Sequence, residues 1–439
     1  MTRRIAVVGS GVAGLCAAWS LAPEAQVTLF EAGRHFGGHA NTRDVTLDGV
    51  THGVDTGFLV YNERTYPGLV ALFDELGVET AASDMSFSVQ NRSDGLEWSG
   101  SSLDTVFAQR RNLLRPRFLA MLSEVMRFNR LTTAIAQGGG EEALAESVGD
   151  FLDRHRFGTG FREGYFLPMI GCIWSCPTSQ MLSFPVATLI RFCHNHGLIQ
   201  LSNRPQWRTV RGGSREYVRR MVARIADARL ADPVRAVRRL PPGRSQGAGS
   251  AGVMVATDNG ETRFDDVVLA CHTDQALKLL ADATPEERRW LGAIRYQRNR
   301  AVLHTDAALL PRSRRAWAAW NYERAPDLGR EQAAVCLHYW INRLQPLPWD
   351  TPVVVSLNPA REPDARQVIE ELDYDHPVFD QAAIDAQARL DEFQGKGHVW
   401  FCGAWTRFGF HEDGLMSGMA VARALRERIA AERLHPRAA

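Results

Sequence analysis

The chain has 439 residues, which is long enough for two domains with substantial cores. Apolar residues make up 45% of it and charged residues 23%, and the formal net charge is +1. This composition is that of an ordinary globular protein, and the net charge excludes a global field that would attract nucleic acid or an anionic membrane. No apolar run reaches the roughly eighteen residues of a membrane span, no secretory segment precedes the first predicted strand, and the seven cysteines are scattered. We therefore expect a cytoplasmic protein with reduced thiols.

The N-terminal segment combines a short apolar run with three spaced glycines. Ile5–Val8 is typical of a buried parallel strand, and Gly9, Gly11 and Gly14 follow it as G-x-G-x-x-G. The first glycine permits a tight turn, the second lets the backbone approach a pyrophosphate, and the third lets the new helix lie close to the strand. A second apolar strand ends at Glu31, about twenty residues downstream.

This arrangement predicts a dinucleotide site. The helix that begins near Val12 and Ala13 directs unpaired N–H groups and its positive dipole end toward the phosphates. The Glu31 carboxylate accepts hydrogen bonds from the ribose hydroxyls, which disfavours the 2′-phosphate of NADP. The competing interpretation is an ordinary glycine turn. The strand before the motif, the helix after it and the acid in register argue against that interpretation.

Two further motifs follow the acid and distinguish FAD from NAD. After Ala32 come Gly-Gly-His-Ala-Asn-Thr at 37–42 and Asp-Thr-Gly-Phe at 55–58. The sequence here resembles the flavin amine oxidase superfamily, in which a Gly-Gly-Arg element and an Asp-x-Gly element lie beside the flavin. His39 stands where that superfamily usually has arginine.

A closer resemblance extends over nearly the whole chain. The two motifs above and the string Trp-Arg-Thr-Val-x-Gly-Gly-Ser-Arg-x-Tyr at 207–217 are similar to those of a bacterial group described as predicted NAD/FAD-binding proteins. That group is related to the flavoprotein part of plant cyclopropane fatty acid synthases. The resemblance implies that FAD is the cofactor.

The resemblance also implies an α/β fold with a Rossmann-like FAD-binding domain of glutathione-reductase type. Its second domain, the substrate domain, is expected to combine a mixed sheet with helices. The FAD-binding domain would comprise residues 1–80, 208–275 and 395–439, and the substrate domain residues 81–207 and 276–394. Both domains are therefore expected to be discontinuous in sequence.

Downstream of the flavin motifs, one helix and two strands lead into a basic segment. Tyr66–Gly77 has helical apolar spacing, and Phe87–Val89 and Leu96–Trp98 are predicted strands around a polar turn. The segment 103–135 has the apolar content of a pair of helices. It is basic because it contains Arg110, Arg111, Arg115, Arg117, Arg127 and Arg130.

Two interpretations of this basic segment stay open. In the first, the arginines are solvated side chains on two helices of the substrate domain. In the second, they form a basic amphipathic surface that contacts anionic lipid. The second interpretation predicts peripheral contact with the inner membrane surface.

The segment 150–207 is predicted to be helical and is rich in aromatic residues and sulfur. Cys172 and Cys176 lie one helical turn apart, and Cys193–His196 follows. Neither spacing is that of a closed zinc site, so buried cysteines and a polar helix end are expected instead of a metal.

The chain then returns to the FAD-binding domain and continues into the second part of the substrate domain. Strands are predicted over five apolar or alternating runs, at 232–240, 253–257, 264–271, 301–305 and 335–340. By resemblance, the backbone of Val234 contacts the adenine. Aromatic residues of this part belong to the core or line a ligand cavity. They are Trp317, Trp320, Tyr322, Trp340 and Trp349.

The C-terminal segment resembles the flavin motif of the superfamily. The apolar run 399–405 predicts a strand that reaches Gly403, where close backbone approach is needed. The last helix is predicted to open at Gly414 and Leu415, with its N-terminus toward the flavin pyrimidine. Phe410 occupies the position at which amine oxidases place an aromatic side chain facing the isoalloxazine.

These motifs together predict the residues that bind FAD. The predicted set is Gly9, Gly11, Val12, Ala13, Gly14, Glu31, Ala32, Gly37, Gly38, His39, Asp55, Thr56, Gly57, Phe58, Val234, Gly403, Phe410, Gly414 and Leu415. His39, Tyr61 and His411 are candidates for a catalytic base, because the motifs place them near the flavin. The alternatives are that His39 pairs with a phosphate or the flavin, that His411 faces the pyrimidine, and that Tyr61 only packs.

The function predicted from these features is the FAD-dependent oxidation of a lipid-like substrate. The apolar segments of the predicted substrate domain are aromatic and contain few carboxylates to hold a cation. With the resemblance, this favours a dehydrogenase, desaturase or oxidase acting on a methyl-branched or unsaturated fatty acyl chain. One alternative is a flavin amine oxidase, which the lack of lysine in 295–305 argues against. The other is a non-catalytic FAD-containing partner of a fatty acid methyltransferase.

Overall fold

A computed structural model describes residues 2–138, 146–174, 178–199, 204–241, 251–324 and 334–434. Within these residues the chain forms two large sheets, three small sheets and a layer of helices. The predicted mixed α/β class is confirmed. None of the described helices is both long enough and apolar enough to span a bilayer.

The strands of the described residues are numbered in chain order. They are β1 (Arg4–Val8), β2 (Gln26–Glu31), β3 (Thr42–Leu47), β4 (Val50–Asp55), β5 (Tyr61–Asn62), β6 (Thr80–Ser83), β7 (Phe87–Asn91), β8 (Leu96–Ser99), β9 (Trp207–Val210), β10 (Asp227–Leu230), β11 (Val234–Leu240), β12 (Gly252–Thr257), β13 (Gly260–Phe264), β14 (Asp266–Leu269), β15 (Arg295–His304), β16 (Trp320–Arg324), β17 (Cys336–Trp340), β18 (Val354–Leu357), β19 (Val368–Val378) and β20 (Val399–Phe401).

The α-helices are numbered in the same way. They are α1 (Val12–Leu21), α2 (Pro67–Leu76), α3 (Leu103–Val106), α4 (Pro116–Gln137), α5 (Val148–Arg154), α6 (Thr159–Phe161), α7 (Leu167–Trp174), α8 (Thr178–Leu182), α9 (Val186–Asn195), α10 (Arg215–Val222), α11 (Thr273–Leu279), α12 (Pro285–Leu291), α13 (Ile341–Leu344), α14 (Gln381–Ala388) and α15 (His411–Leu434).

A five-stranded parallel sheet carries the N-terminal glycine motif. Its order is β10-β2-β1-β14-β20, and all neighbouring strands are parallel. Ile5, Ala6 and Val7 are fully buried, because helices and other strands cover both faces of the central strand. Helix α1 lies between this sheet and the long C-terminal helix α15, so almost all of its residues are buried.

A three-stranded antiparallel sheet, β11-β12-β13, lies in the chain between β10 and β14. The single strand predicted at 264–271 is wrong, because the structure divides it between β13 and β14. Asp265 stands at the break: its carboxylate accepts the Arg4 N–H at 2.8 Å, and its own N–H donates to the Arg4 carbonyl. These two bonds turn the chain from the small sheet into the parallel sheet.

The second large sheet is mixed and has seven strands in the order β19-β15-β18-β17-β16-β7-β8. All neighbours are antiparallel except β16 and β7. All its strands fall in the ranges predicted for the substrate domain, and the strands of the parallel sheet fall in those predicted for the FAD-binding domain. The domain boundaries themselves stay a prediction.

The two faces of the seven-stranded sheet differ in polarity, because side chains alternate along each strand. One face presents apolar and aromatic side chains to a cavity described below. On the other face, His304, His338, Ser356 and Glu323 form a buried hydrogen-bonded chain. The Asp306 N–H donates to His304 Nδ1, so His304 Nε2–H donates to the Ser356 hydroxyl. That hydroxyl donates to His338 Nδ1, and His338 Nε2–H donates to Glu323.

The helical layer differs from prediction in the basic segment. Residues 103–135 contain the one-turn helix α3, a 3-10 turn at Arg110–Leu114 and most of the 22-residue helix α4. Helix α4 begins at Pro116, and Arg115 before it is extended (φ −97°, ψ 104°). The clash of a proline ring with a preceding helical residue explains why one continuous helix is excluded here.

Two other boundaries also differ from prediction. The helical segment predicted at 150–207 ends by Trp207, which begins strand β9 between β5 and β6. The last helix begins at His411 and not at Gly414. The Asp413 carboxylate accepts the Phe410 N–H at 3.0 Å, which stabilises the earlier start. The Glu412 carboxylate accepts the N–H groups of Gly68 and Leu69, at the N-terminus of α2.

Candidate functional site

A cavity of about 920 Å³ is lined by residues of both large sheets and of the helical layer. We divide its lining into two ends. The nucleotide end consists of the glycine motif and the residues around it, including Glu31 and His39. The aromatic end consists of Trp174, Phe192, His196, Trp207, Phe408 and Phe410.

At the nucleotide end, the glycines meet steric demands that the spacing predicts. Gly9 has φ +102°, and a Cβ placed on it would lie 2.7 Å from the Ala270 carbonyl oxygen. A Cβ on Gly14 would overlap the Gly9 carbonyl, so Gly14 lets α1 pack on the turn and does not itself line the cavity. A Cβ on Gly11 would meet no atom within 4 Å, although Gly11 lines the cavity. The space beside Gly11 is therefore free for a phosphate.

The charges at this end suit an anionic dinucleotide. Helix α1 has no acidic residue in its first turn, so no carboxylate of that turn would compete with a phosphate for its N–H groups and positive dipole end. Glu31 Oε2 accepts the Ser10 N–H and hydroxyl, and Oε1 accepts the Gly33 N–H at 2.7 Å. These bonds fix the carboxylate at the end of β2, where it retains lone pairs for ribose hydroxyls.

Three histidines lie beside the glycine loop. Gly38, next to His39, would place a Cβ 3.1 Å from the Gly11 Cα, so His39 adjoins the phosphate loop. The His39 ring lies 5.4 Å from the ring of His376 and 6.4 Å from that of His272. Its Nε2 is buried and has no hydrogen-bond partner among the described residues. Burial lowers the pKa of His39 well below its usual value and that of His376 to about 4, with neighbouring histidines adding to both shifts.

Asp55 was predicted to bind the flavin, but it does not line the cavity. It is buried and accepts hydrogen bonds from the Thr42 hydroxyl, the Ser214 N–H and hydroxyl, and the Gln345 amide. Burial raises its pKa to about 6 against these bonds. In the structure Asp55 joins three parts of the chain, whereas Thr56, Gly57 and Phe58 after it line the cavity.

The aromatic end is built by contacts between distant parts of the chain. The Phe192 ring lies 4.7 Å from the rings of Trp174 and Phe410, and 3.9 Å from the stacked ring of His196. Nδ1–H of His196 donates to the Phe192 carbonyl at 3.0 Å, which leaves Nε2 without a partner among the described residues. Burial lowers the pKa of His196 to about 4, so the ring is neutral near neutral pH.

His411 and Tyr61, the other candidate bases predicted with His39, differ in whether they line the cavity. His411 lines the cavity, stacks on Phe58 with ring centroids 3.8 Å apart, and shares a hydrogen bond of 2.6 Å between Nε2 and the Tyr217 hydroxyl. Burial lowers its pKa to about 3. Tyr61 is buried against Phe73 and Tyr66 and does not line the cavity. Packing alone accounts for its position.

Most of the predicted cofactor residues come together in this cavity. Its lining includes Gly9, Gly11, Val12, Ala13, Glu31, Ala32, Gly37, Gly38, His39, Thr56, Gly57, Phe58, Val234, Gly403, Phe410 and His411. Gly414 and Leu415, like Asp55 and Gly14, lie outside it. A Cβ on Gly414 would approach Val12 to 2.7 Å, so this glycine permits close packing of α15 on α1.

Several lining residues were not predicted from sequence, including His196, His272, His376, Trp174 and Phe192. His272 could have been predicted, because it directly follows a predicted parallel strand, and ligands bind at the carboxyl ends of such strands. His196 was assigned to a polar helix end, and it is the C-cap of α9. Thiols also line both ends: burial raises the pKa of Cys271 to about 12 and that of Cys172 well above its usual value.

Comparison with known proteins decides the family. The family model described as flavin-containing amine oxidoreductase matches residues 12–301, about two thirds of the chain. The chain belongs to this family. It is therefore an FAD-dependent oxidoreductase, and the glycine loop, the α1 N-terminus and the Glu31 carboxylate fit the cofactor that the family binds.

Several solved structures share the fold of this chain. Cyclohexylamine oxidase from Brevibacterium oxydans IH-35A aligns with a TM-score of 0.67 at 16% identity, over 98% of this chain and all of the other. A fatty acid isomerase from P. acnes that produces CLA aligns with a TM-score of 0.65 at 15% identity, over 96% and 98%. A redesigned triple mutant of putrescine oxidase aligns with a TM-score of 0.68 at 16% identity, over 97% and 99%. No curated protein matches the sequence.

One cluster of possible metal ligands occurs among the described residues. Cys176 lies outside the described residues. Among the described residues, Glu323, Cys336 and His338 are close enough to hold an ion. The Arg92 guanidinium donates to Glu323 at 2.6 Å, and both nitrogens of His338 are hydrogen-bonded. This group is therefore accounted for by the buried hydrogen-bonded chain behind the sheet.

Proposed function

We propose that this oxidoreductase dehydrogenates a long apolar substrate, of which a fatty acyl chain is the best example. The observation that carries the proposal is the composition of the aromatic end. Among the described residues that form it, Trp174, Phe192, Trp207, Phe408 and Phe410 surround one neutral imidazole, and there is neither a carboxylate nor a lysine. An apolar chain fits such walls, and a charged group would lose its hydration without a partner.

The binding energy of an acyl chain is sufficient without a charged anchor. Each buried methylene contributes about 0.8 kcal/mol, so roughly ten methylenes would supply about 8 kcal/mol before the costs of association. A protein of similar fold is named as a fatty acid isomerase, which supports the idea that this fold accommodates an acyl chain.

The arginines and lysine near the cavity do not favour an amine substrate. On β15, Arg298 pairs with Asp373, and Arg300 pairs with Glu362 and Glu371, in exposed ion pairs. Lys278 lines the cavity but pairs with Asp274 and is 76% exposed. The six residues of the aromatic end carry no counter-charge for an ammonium group, and Asp373 and Asp375, which also line the cavity, are not among them. The Asp413 carboxylate next to Phe410 already accepts the Phe410 N–H.

Separate groups of the chain bind FAD, hold the substrate and accept the proton. The glycine loop, the N-terminus of α1 and Glu31 hold FAD, which supplies the two-electron oxidation when bound. The aromatic side chains hold the acyl chain and exclude water. His196 accepts a proton at Nε2 as two neighbouring carbons each lose a hydrogen and a double bond forms between them. Its Nδ1–H bond to Phe192 fixes the tautomer that leaves Nε2 as an acceptor.

The organisation of the FAD-binding part is proposed on the same footing. We infer a glutathione-reductase type, and the support is the three-stranded sheet β11-β12-β13 placed between β10 and β14 of the parallel sheet. A fatty acid methyltransferase as partner stays a prediction from the resemblance alone.

The test is anaerobic mixing of the FAD-loaded protein with unsaturated and methyl-branched acyl lipids. We expect the flavin absorbance to bleach and one product to be two mass units lighter than its substrate. Primary amines and polyamines are expected to leave the absorbance unchanged. A product of unchanged mass would indicate isomerisation, and bleaching by an amine but by no lipid would overturn the proposal.

A further inference from the structure

One exposed corner of the helical layer combines apolar side chains with arginines. We call it the leucine–arginine corner and define it as residues 101–119 together with 311–316. Leu103 is 80% exposed and Leu114 is 87% exposed, and Leu113 and Leu119 are exposed as well. Nine large apolar side chains are exposed in the described residues, and four of them lie here. Such a concentration marks an interaction site.

The leucines are exposed although the backbone that carries them is well anchored. Ser102 and Thr105 form a capping box at the start of α3. Asn112 is fully buried, and the Phe107 ring packs edge-on against that of Phe118 at 6.0 Å. The Gln109 side chain also accepts the N–H of Glu97 and donates to the Gly95 carbonyl. The corner is therefore a fixed scaffold that holds apolar side chains in solvent.

The corner is strongly basic although the whole chain is nearly neutral. It contains seven arginines, at 110, 111, 115, 117, 312, 314 and 315, and one acid, Asp104. Glu97 accepts the N–H groups of Arg312 and Ser313, which brings the second stretch beside the first. The hydrogen bond from Arg110, with a contribution from Arg315, lowers the pKa of Asp104. Arg314 and Arg315 are exposed and come from a part of the chain distant from Arg110.

We propose that the leucine–arginine corner docks on an anionic lipid surface. Leucine side chains would enter the acyl boundary while the arginines contact phosphates, which is the pattern of an interfacial segment. Leu113 and Leu114 lie between Arg111 and Arg115 in the sequence, and apolar side chains flanked by arginines fit this pattern. It does not fit the centre of a protein interface, where charged residues are depleted and aromatic anchors are enriched. No aromatic residue is among the exposed apolar side chains of the described residues.

This docking surface would bring the cavity close to lipid. Helix α4 continues from the corner and packs against α9, which carries Phe192 and ends next to His196. A bilayer at the corner therefore lies against the same helical layer that builds the aromatic end. The inference does not depend on the proposed substrate, because it rests only on exposure and charge.

The test is flotation of the FAD-loaded full chain with vesicles. Phosphatidylcholine vesicles are compared with vesicles in which part of the lipid is phosphatidylglycerol, at low and at high salt. We expect binding to the anionic vesicles only, and release by salt because exposed charges are screened. The double variants Leu113→Ser/Leu114→Ser and Arg314→Glu/Arg315→Glu should each lower the bound-to-free ratio by about tenfold or more.

Matched variants elsewhere on the surface serve as controls. Val50→Ser removes another exposed apolar side chain, and Arg219→Glu/Arg389→Glu reverses two other exposed charges. Both should bind vesicles as the parent does, and all variants should retain FAD. If the parent does not float with anionic vesicles, or if both corner variants bind normally, the proposal is overturned. It is equally overturned if the parent is a dimer that the corner variants convert to a monomer without any lipid binding.

Discussion

The two ends of the cavity differ in the groups that form them: backbone groups at one end and side chains at the other. At the nucleotide end the backbone does the binding, through the free N–H groups of α1 and the space left at Gly11. At the aromatic end the walls are side chains. Phe410 is more than two hundred residues away in sequence from Trp174 and Phe192, whose rings lie near it. A backbone site tolerates few changes at its glycines, whereas a side-chain site can be remodelled without loss of the fold.

The largest effect is expected at the nucleotide end. In Gly11→Val the added side chain would occupy the space for the pyrophosphate, which should lower FAD affinity by about a hundredfold or more. Flavin absorbance after gel filtration measures the loss. Gly160→Val is the matched control, because a Cβ there also meets no atom within 4 Å but Gly160 does not line the cavity. Equal FAD retention by both variants would contradict a backbone-built site.

A single side chain at the aromatic end should affect chemistry and not cofactor binding. His196→Gln keeps a donor for the Phe192 carbonyl but cannot accept the proton, so anaerobic bleaching should slow by about a hundredfold while FAD stays bound. His194→Gln, two residues earlier and outside the lining, should bleach at the parent rate. If both variants react like the parent, the base lies elsewhere in the cavity.

A smaller effect is expected in the pH dependence of the bleaching rate. A base must be neutral to accept a proton, and burial holds the pKa of His196 at about 4. The bleaching rate is therefore expected to be constant near neutral pH and to fall as the pH drops through about 4. Burial also lowers the pKa of His411, to about 3, so the midpoint alone does not separate the two histidines. If His196 is the base, the fall should disappear in His196→Gln. Rapid-mixing measurements over this range, with FAD retention followed in parallel, separate protonation from loss of cofactor.

The smallest effect is expected at Lys278, the lysine that lines the cavity. Lys278→Met removes an exposed ion pair with Asp274, and exposed pairs contribute little. FAD affinity and the bleaching rate with an acyl lipid should both stay within about twofold of the parent. A large loss of rate, measured in the same anaerobic assay, would instead indicate that a cationic side chain takes part in catalysis.

The same contrast explains what the sequence could predict. Gly9, Gly11 and Glu31 follow one another in a short stretch, and their task depends on backbone geometry that spacing reveals. His196 and Trp174 acquire their role only when α7 and α9 pack against the segment around Phe410. Periodicity contains no information on that packing, so His196 was assigned to a polar helix end and Trp174 was given no role.

Some differences could have been read from local chemistry. Pro116 excludes a helical Arg115, which already divides the basic segment in the sequence. Asp55 is a different case. Its motif predicts a position beside the flavin, and its neighbours Thr56 and Phe58 do line the cavity. Asp55 itself is buried, and a buried carboxylate requires several hydrogen-bond donors. Ser214 and Gln345 supply these donors from distant parts of the chain, so no local sequence pattern could predict them.

The thiols of Cys271 and Cys172, which line the cavity, also give the protein its own probes of access to it. Alkylating reagents react with thiolates, and the raised pKa of Cys271 and Cys172 keeps both sulfurs protonated while the fold is closed. Labelling rates therefore report how accessible the half-buried Cys271 and the buried Cys172 are, and peptide mass spectrometry can measure the two separately. The alkylation rates of the two cysteines can therefore show, in the unmodified chain, how FAD and an acyl lipid each change access to the cavity.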